Sequence, residues 1–430
     1  MKLTPSLLAQ RLFRAANFAL AAPAIILTLA TPALTQTEKV LYSFVPSSGQ
    51  NPVGSLIFDS AGNLYGATNS VRSGQGTVFE LSPSGADWNQ TVLIDFFHTQ
   101  DGANPRAGLI SDAAGNLYGT TEAGGHCCGV AFELSPLSGG GWKETVLHSF
   151  GGADGDSPQA GLILDSSGNL YGTTELGGNL DCASSGCGVV FKLSPSSAGW
   201  KETVLHTFSG HADGSYPLSP LLLDSSGNLY GTTADGGDVH VCSGGGCGVA
   251  FELSPLSGGG WKETVLHTFT GGLDGSNPIT GLIRDSAGNL YGTTYAAGDL
   301  SRCNLHGCGT VFQLSPQAPG WKITNLQTFG GGQNGANPAG ALLMDAAGNL
   351  FGTTQLGGNT GACFGGCGTV FELSPSAGGW HETLLHAFTA SGKDGYQPLG
   401  GLIFDSAGNL YGTTSLGGAN GAGIVYEVTP

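Results

Sequence analysis

From residue 40 to its end the chain is a succession of short apolar runs, each closed by Gly, Ser, Asn, Asp or Pro. Between Gly161 and Phe208 four of them follow in order: Gly161–Asp165 (GLILD), Leu170–Thr174 (LYGTT), Gly188–Pro195 (GVVFKLSP) and Trp200–Phe208 (WKETVLHTF). Runs this short, rich in Val, Thr, Leu and aromatic residues and punctuated by turn formers, predict β-strands. The first two are joined by Asp165-Ser166-Ser167-Gly168-Asn169. An Asp that caps its own turn, then Gly and Asn that tolerate positive φ, predict a hairpin. The unit is therefore four antiparallel strands.

That unit recurs. Gly-Asn-Leu-Tyr-Gly (with Phe for Tyr once) begins at Gly62, Gly115, Gly168, Gly227, Gly288, Gly348 and Gly408, at gaps of 53, 53, 59, 61, 60 and 60 residues. The ends are in circular phase. Val40–Phe44 (VLYSF) matches the end of a fourth strand, as in Val146–Phe150, and Gly423–Pro430 (GIVYEVTP) matches a third strand. A ring explains this phase, because a blade built from both termini removes its free sheet edges. The expected fold is all-β: a seven-bladed β-propeller, four antiparallel strands per blade, closed by an N-terminal outer strand that completes the last blade. Glycine at 76 of 430 residues and charged residues at only 10% suit such a turn-rich chain, and 40% hydrophobic residues suffice for a core.

The repeated residues D-x-x-G-N-L-Y-G-T-T, G-T-V-F-E-L-S-P and W-x-E-T-V-L-H-x-F resemble the GloVer tandem repeat of exported bacterial proteins, over essentially the whole chain after its first segment. More distantly they are similar to the L-x-x-D-x-x-G-N-L-W-I-G-T blades of two-component sensor propellers. The resemblance implies an exported repeat protein without an assigned activity. Family members often end in a sorting or anchoring segment, whereas this sequence stops at Pro430 inside a strand.

The first 36 residues differ. Lys2, Arg11 and Arg14 precede an apolar stretch from Phe18 to Ala30 and a small-residue tail, Thr31 to Thr35. This is the pattern of a secretory signal peptide, too short for a membrane span and interrupted by Pro23. The expected domains are thus 1–36, signal peptide, and 37–430, propeller, in a secreted or periplasmic protein that is soluble and monomeric. The formal net charge of −17 becomes −20 once those three cations are removed, with 11 basic against 31 acidic residues. Such a surface repels phosphate backbones and anionic lipid, which argues against nucleic acid as a partner.

Residues repeated in every unit suit structure better than catalysis. Asp59, Asp112, Asp165, Asp224, Asp285, Asp345 and Asp405 read as turn caps, and Phe351 at the tyrosine position makes those rings packing groups. His148, His206, His267 and His386 on fourth strands suggest metal ligands, but Ile94 and Gln327 take their place elsewhere. Equivalent positions around a ring also lie too far apart to share one ion, so each histidine is expected to pair with a neighbour. Trp88, Trp142, Trp200, Trp261, Trp321 and Trp380 read as wedges between blades, and Lys143 and Glu144 as exposed repeats. The connections between units read D-G-x-x-P, as in Asp154–Pro158, and only Asp154 with Asp156 offers two carboxylates, too few for calcium. No G-x-S-x-G, H-E-x-x-H or phosphate-binding loop occurs, and the glycines read as turn residues. No catalytic residue, metal or cofactor is expected.

The cysteines stand apart. All ten lie between second and third strands, as Cys182/Cys187, Cys242/Cys247, Cys303/Cys308, Cys363/Cys367 and the adjacent Cys127/Cys128. An even number in an exported chain predicts disulfides within each loop. Zinc is the rival, since His126, His240 and His306 are near in sequence, but each loop offers only two thiolates. Bridging the neighbours Cys127 and Cys128 would strain the peptide between them.

In a four-stranded blade the loop after the second strand and the connection to the next blade emerge on one face. That face collects the residues with no counterpart in every unit: His126, Asp181, His211, Asp235, Asp238, His240, Tyr295, Arg302 and His306, with Arg106 and Arg284 near the central mouth. Variable loops on a rigid scaffold are where binding resides. The expected function is a non-enzymatic binding or cell-surface interaction module contacting a surface ligand or polysaccharide, with His126, His211, His240, Arg302, His306 and Arg106 as ligand-face residues. The alternative is an extracellular propeller hydrolase or lyase acting on carbohydrate, which needs an acid/base pair at the mouth.

Overall fold

The computed structural model describes residues 37–430, except 71–74, 98, 99, 181, 183 and 360. The expected signal peptide and Asp181 lie outside the described residues. Among the described residues seven antiparallel blade sheets follow one another, with a two-stranded sheet of Gly395–Tyr396 and Leu416–Gly417 beside the last. Blade 3 shows their plan: inner strand Ile163–Leu164, then Leu170–Thr174, Val189–Ser196 and outer strand Gly199–Thr207. The three longer strands agree with the periodicity. The inner one is shorter than the apolar run that predicted it, because the residues before it leave the ladder and converge on the axis.

Blade 7 has the order Thr37–Ser43, Ile424–Thr429, Leu410–Thr414, Ile403–Phe404. The N-terminal strand is thus its outer strand, with Thr37 opposite Thr429 and Ser43 opposite Ile424. The propeller is closed by both ends of the described chain.

Among the described residues no core lies at the centre of the ring. Apolar clusters sit between blades, as where Tyr118, Leu147 and Phe150 of blade 2 pack on Leu162, Leu170 and Phe191 of blade 3. Each outer strand ends in an aromatic ring set edge-on to a third-strand ring of the next blade. The pairs are Phe96–Phe132, Phe150–Phe191, Phe208–Phe251, Phe269–Phe312, Phe329–Phe371, Phe388–Tyr426 and, across the closure, Phe44–Phe79, at 4.9–5.3 Å. Edge-to-face pairs of this kind stabilise beyond the area they bury. Tryptophans do wedge between blades: Trp142 meets Tyr65, Trp200 meets Tyr118 and Trp380 meets Tyr291.

Two expectations about repeated residues need amendment. The Gly of L-Y-G-T-T is not a turn residue: a Cβ at Gly172 would lie 2.6 Å from the Phe191 ring tip, so glycine is needed for close approach. Nor are the tyrosines only packing groups. Asp165 Oδ1 accepts the Ser167 and Asn169 N–H groups, while its Oδ2 accepts from Asn169 Nδ2 and the Tyr171 hydroxyl. The Asp residues are turn caps, as expected. Burial raises the Asp165 carboxyl, but these hydrogen bonds outweigh it and hold it below the usual range.

Near the axis a threonine of one blade donates to the next blade's inner loop. Thr120 reaches the Ala160 carbonyl, Thr173 that of Ser219, Thr232 that of Thr280, Thr353 that of Gly400 and Thr413 that of Gly54, at 3.0–3.3 Å. The Thr413–Gly54 bond spans the closure between blades 7 and 1. Small residues such as Gly54, Ala107 and Ala160 leave an axial cavity of only about 120 Å³.

Candidate functional site

The cysteine loops and the inter-blade connections share one face, as the strand order requires. The connection into blade 4 pairs Ser215 with Asp235, and the Tyr216 N–H donates to the Cys187 carbonyl. The same bond recurs from Asn277 to Cys247, Asn337 to Cys308 and Gln397 to Cys367. All five cysteine pairs are disulfides, including the adjacent Cys127–Cys128. Each links a loop to itself beneath the connection it supports.

In each connection the residue before proline has positive φ: Asn51, Asn104, Ser157, Tyr216, Asn277, Asn337 and Gln397, at 54–58°. Asn visits this region readily, whereas a bulky side chain does so under strain. Tyr216 is the bulkiest exception. It borders a cleft of about 620 Å³ with Leu218, Asn277, Ile279, Tyr295, Glu175 and Asp235. The Asn277 amide donates to the Asp235 carboxylate at 2.9 Å, and the Tyr295 hydroxyl donates to Gln355 at 2.7 Å. Burial raises the Asp235 carboxyl, against the hydrogen bond from Asn277.

The axial mouth is polar on one side and apolar on the other. Arg106, Gln159, Leu218, Ile279, Ala339, Leu399 and Val53 follow the seven prolines and line the axial cavity. Arg106 pairs with Glu122 at 2.6 Å, and the Gln159 amide bridges Glu122 and Glu175. Burial pushes the Glu175 carboxyl up, with Glu122 adding to the rise and Arg106 opposing it.

The sequence-predicted ligand residues share this face but do not converge. His126 is exposed and bonded to Ser149. His240 is exposed, its N–H on Asp238, and Arg302 faces Asp299 within its own loop. The exposed His211 offers its carbonyl to Gly237. His306 borders a second cleft, of about 660 Å³, with Tyr295, Asn304 and Phe364. Arg106 alone reaches the mouth as read. Arg284 does not: it faces Asp224 at 3.8 Å, in the turns of the opposite end, because the inner strand that bears it runs away from the connections. Sequence reading missed Glu122, Gln159, Glu175 and Tyr216. Their signal was positional, since the residue after each double threonine and those flanking each proline vary in an otherwise constant frame.

Two of the fourth-strand histidines bond to the expected neighbour, the Asp of the following connection, His148–Asp154 at 2.8 Å and His267–Asp274 at 3.0 Å, while His206 and His386 face theirs at 3.5 and 3.7 Å. Most seams also receive the W-x-E glutamate of the next blade, with Ile323 and Gln90 in its place in blades 5 and 1. Glu144 is therefore half-buried and not exposed, and burial lifts its carboxyl to about 7, with Asp101 adding to the rise.

The model of the Gloeobacter/Verrucomicrobia repeat matches residues 26–243 and again 239–430. The chain belongs to that repeat family. No curated protein matches it. Among solved structures, this Gloeobacter/Verrucomicrobia repeat protein is similar to a Bacteroides uniformis protein provisionally named a 6-phosphogluconolactonase (13% identity, 80% of this chain and 86% of that one, TM-score 0.48). A Bacteroides fragilis protein of the same provisional name gives 14%, 81%, 86% and 0.47, and a Lactobacillus plantarum protein 15%, 80%, 86% and 0.45. Among the described residues no helix is long and apolar enough to cross a membrane.

Proposed function

We propose that this repeat protein is an exported, non-enzymatic binding module that takes a neutral polysaccharide at the axial mouth of its disulfide-bearing face. The observation that carries the reading is the broken symmetry of that mouth. Seven near-identical blades present Arg106, Glu122, Gln159 and Glu175 on one side and Leu218, Ile279, Tyr216 and Tyr295 on the other. Carboxylates and amides that satisfy hydroxyls, next to aromatic rings that cover apolar sugar faces, suit a sugar chain. The strongly acidic chain disfavours an anionic one. The strained backbone of Tyr216 supports a selected side chain, since Asn would be the easier residue there. Five disulfides support an oxidising compartment outside the cytosol.

The test is retention on immobilised neutral and anionic polysaccharides. The protein should bind neutral chains, and Tyr216→Ala with Tyr295→Ala should weaken binding about tenfold or more, roughly 1.4 kcal/mol. The loop-tip pair His240→Ala and Arg302→Ala should change little. Equal loss in both variants would sink the mouth as the site, and turnover of a glycan would favour a hydrolase or lyase.

A further inference from the structure

Every seam between blades repeats one three-position arrangement: a fourth-strand residue, the first residue of the connection that follows it, and the W-x-E position of the next blade. Between blades 5 and 6 the three are Gln327, Asn334 and Glu382, and both amides donate to the glutamate. At the seam from blade 7 to blade 1 they are Tyr42, Ser48 and Gln90, again joined directly, at 2.9 and 2.7 Å. With neutral donors the arrangement satisfies itself.

The seam between blade 6 and the closing strand holds Glu38, His386 and Asp394, and it does not satisfy itself. Glu38 Oε1 and His386 Nε2 are both shut off from solvent and have no hydrogen-bond partner, as is also true of His206 Nε2 and Glu263 Oε1 at an equivalent seam. Ligand atoms of the three residues nevertheless lie within 4.8 Å of one another, which no other such trio among the described residues achieves. The connection explains the gap. Asp follows His by six residues at His148–Asp154, by seven at His206–Asp213 and His267–Asp274, and by eight at His386–Asp394. The pair accordingly opens from 2.8 Å at the first to 3.7 Å at the last. Asp394 is held from behind, its Oδ2 accepting from the Thr389 N–H and hydroxyl at 2.7 Å and its Oδ1 from the Gly395 N–H at 2.8 Å.

We infer that Glu38, His386 and Asp394 bind one divalent transition-metal ion of the zinc or manganese type, which fastens the N-terminal strand to blade 6. One imidazole nitrogen and two carboxylate oxygens form a ligand set for such ions, and two carboxylates neutralise the cation in a half-buried site. Tetrahedral bonds of about 2.0–2.1 Å space ligand atoms by roughly 3.4 Å, near the present His386–Asp394 separation. The hydrogen bonds from Thr389 are the outer support that such ligands use. The ion is distinct from one shared between histidines, which remain in separate seams.

The experiment uses tag-free protein with its disulfides intact, dialysed against chelator and titrated with Zn²⁺ and Mn²⁺ by calorimetry. One ion per chain is expected, with a melting temperature that rises on loading and falls on chelation. Glu38→Gln and His386→Gln should each weaken binding by about tenfold or more, while Glu263→Gln, at an equivalent seam, should not. Failure of wild-type protein to bind either ion stoichiometrically, or equal weakening in Glu263→Gln, would overturn the site. Because wild-type binding is read directly, a variant that folds poorly does not obscure the result.

Discussion

A carboxylate repeated around a ring looks like a solvated surface group, yet here four of them are forced toward neutrality. Burial at the seams raises Glu144, Glu202, Glu263 and Glu382 to about 7. At Glu263 the facing groups are His206, which opposes the rise, and Asp213, which adds to it. A carboxyl whose folded value lies above its unfolded one binds the proton more tightly when folded. Its stabilisation is complete below about 4.5 and disappears as pH rises through about 7. Asp213 runs the other way. Burial raises it, but the facing His206 and hydrogen bonds from Ser209 prevail and hold it at about 2, so its contribution is complete above about 3.8 and lost as pH falls through about 2. Stability should therefore be greatest near pH 4–5 and decline toward pH 8. Glu263→Gln should raise stability at pH 8 by on the order of 1 kcal/mol after allowance for solvent screening, read as a higher melting temperature, and leave it unchanged at pH 5. Thermal melts of the two proteins across that range check it, and an equal shift at both pH values would refute the protonation argument.

At the level of the strand and loop, most of the structure was legible because local chemistry and global fold agree. Leu170–Thr174 is a strand at the residues its pattern indicates, and the D-x-x-G-N turn forms the hydrogen bonds its residues suggest. What escaped was register. Pairing of the outer strand of blade 3 jumps from Val204 to His206, leaving Leu205 as a bulge. Equivalent bulges bury Leu147, Leu266 and Leu385. A bulge re-aims side chains without changing residue types, so alternation alone cannot locate it. The disulfide loops were legible from spacing, and their worth follows from loop length. Cys242 and Cys247 close a loop of about six residues, for which chain entropy gives roughly 2 kcal/mol. Cys242→Ser with Cys247→Ser should lower stability by about that amount and speed amide exchange from Val241 to Gly248, with far-UV dichroism unchanged. Loss of the propeller's β signal would instead mean that the loop directs folding.

At the scale of the ring, the blade count and the closure followed from circular phase, whereas the mouth did not. Glu122, Glu175 and Tyr216 are ordinary residues in sequence and become neighbours only because seven inner loops meet at one axis. Closure determines whether that meeting occurs at all. The N-terminal strand gives blade 7 its outer edge, sends Leu41 and Phe44 into the core against blade 1, and is followed by the loop whose Gly54 carbonyl accepts from Thr413. Phe44 is fully buried, and truncating such a ring to Ala costs about 3–5 kcal/mol by itself. Removing residues 37–44 also unpairs the edge of blade 7 and exposes the Phe79 face of blade 1. Protein lacking those residues should lose more than about 5 kcal/mol, a fall of roughly 10 °C or more in melting temperature, and should self-associate through the bared edge. Phe44→Ala, which keeps the strand, should show part of the thermal loss and none of the association. Calorimetry and light scattering separate the two, and a deletion that melts like the intact chain would show that the ring is held by its other six seams alone.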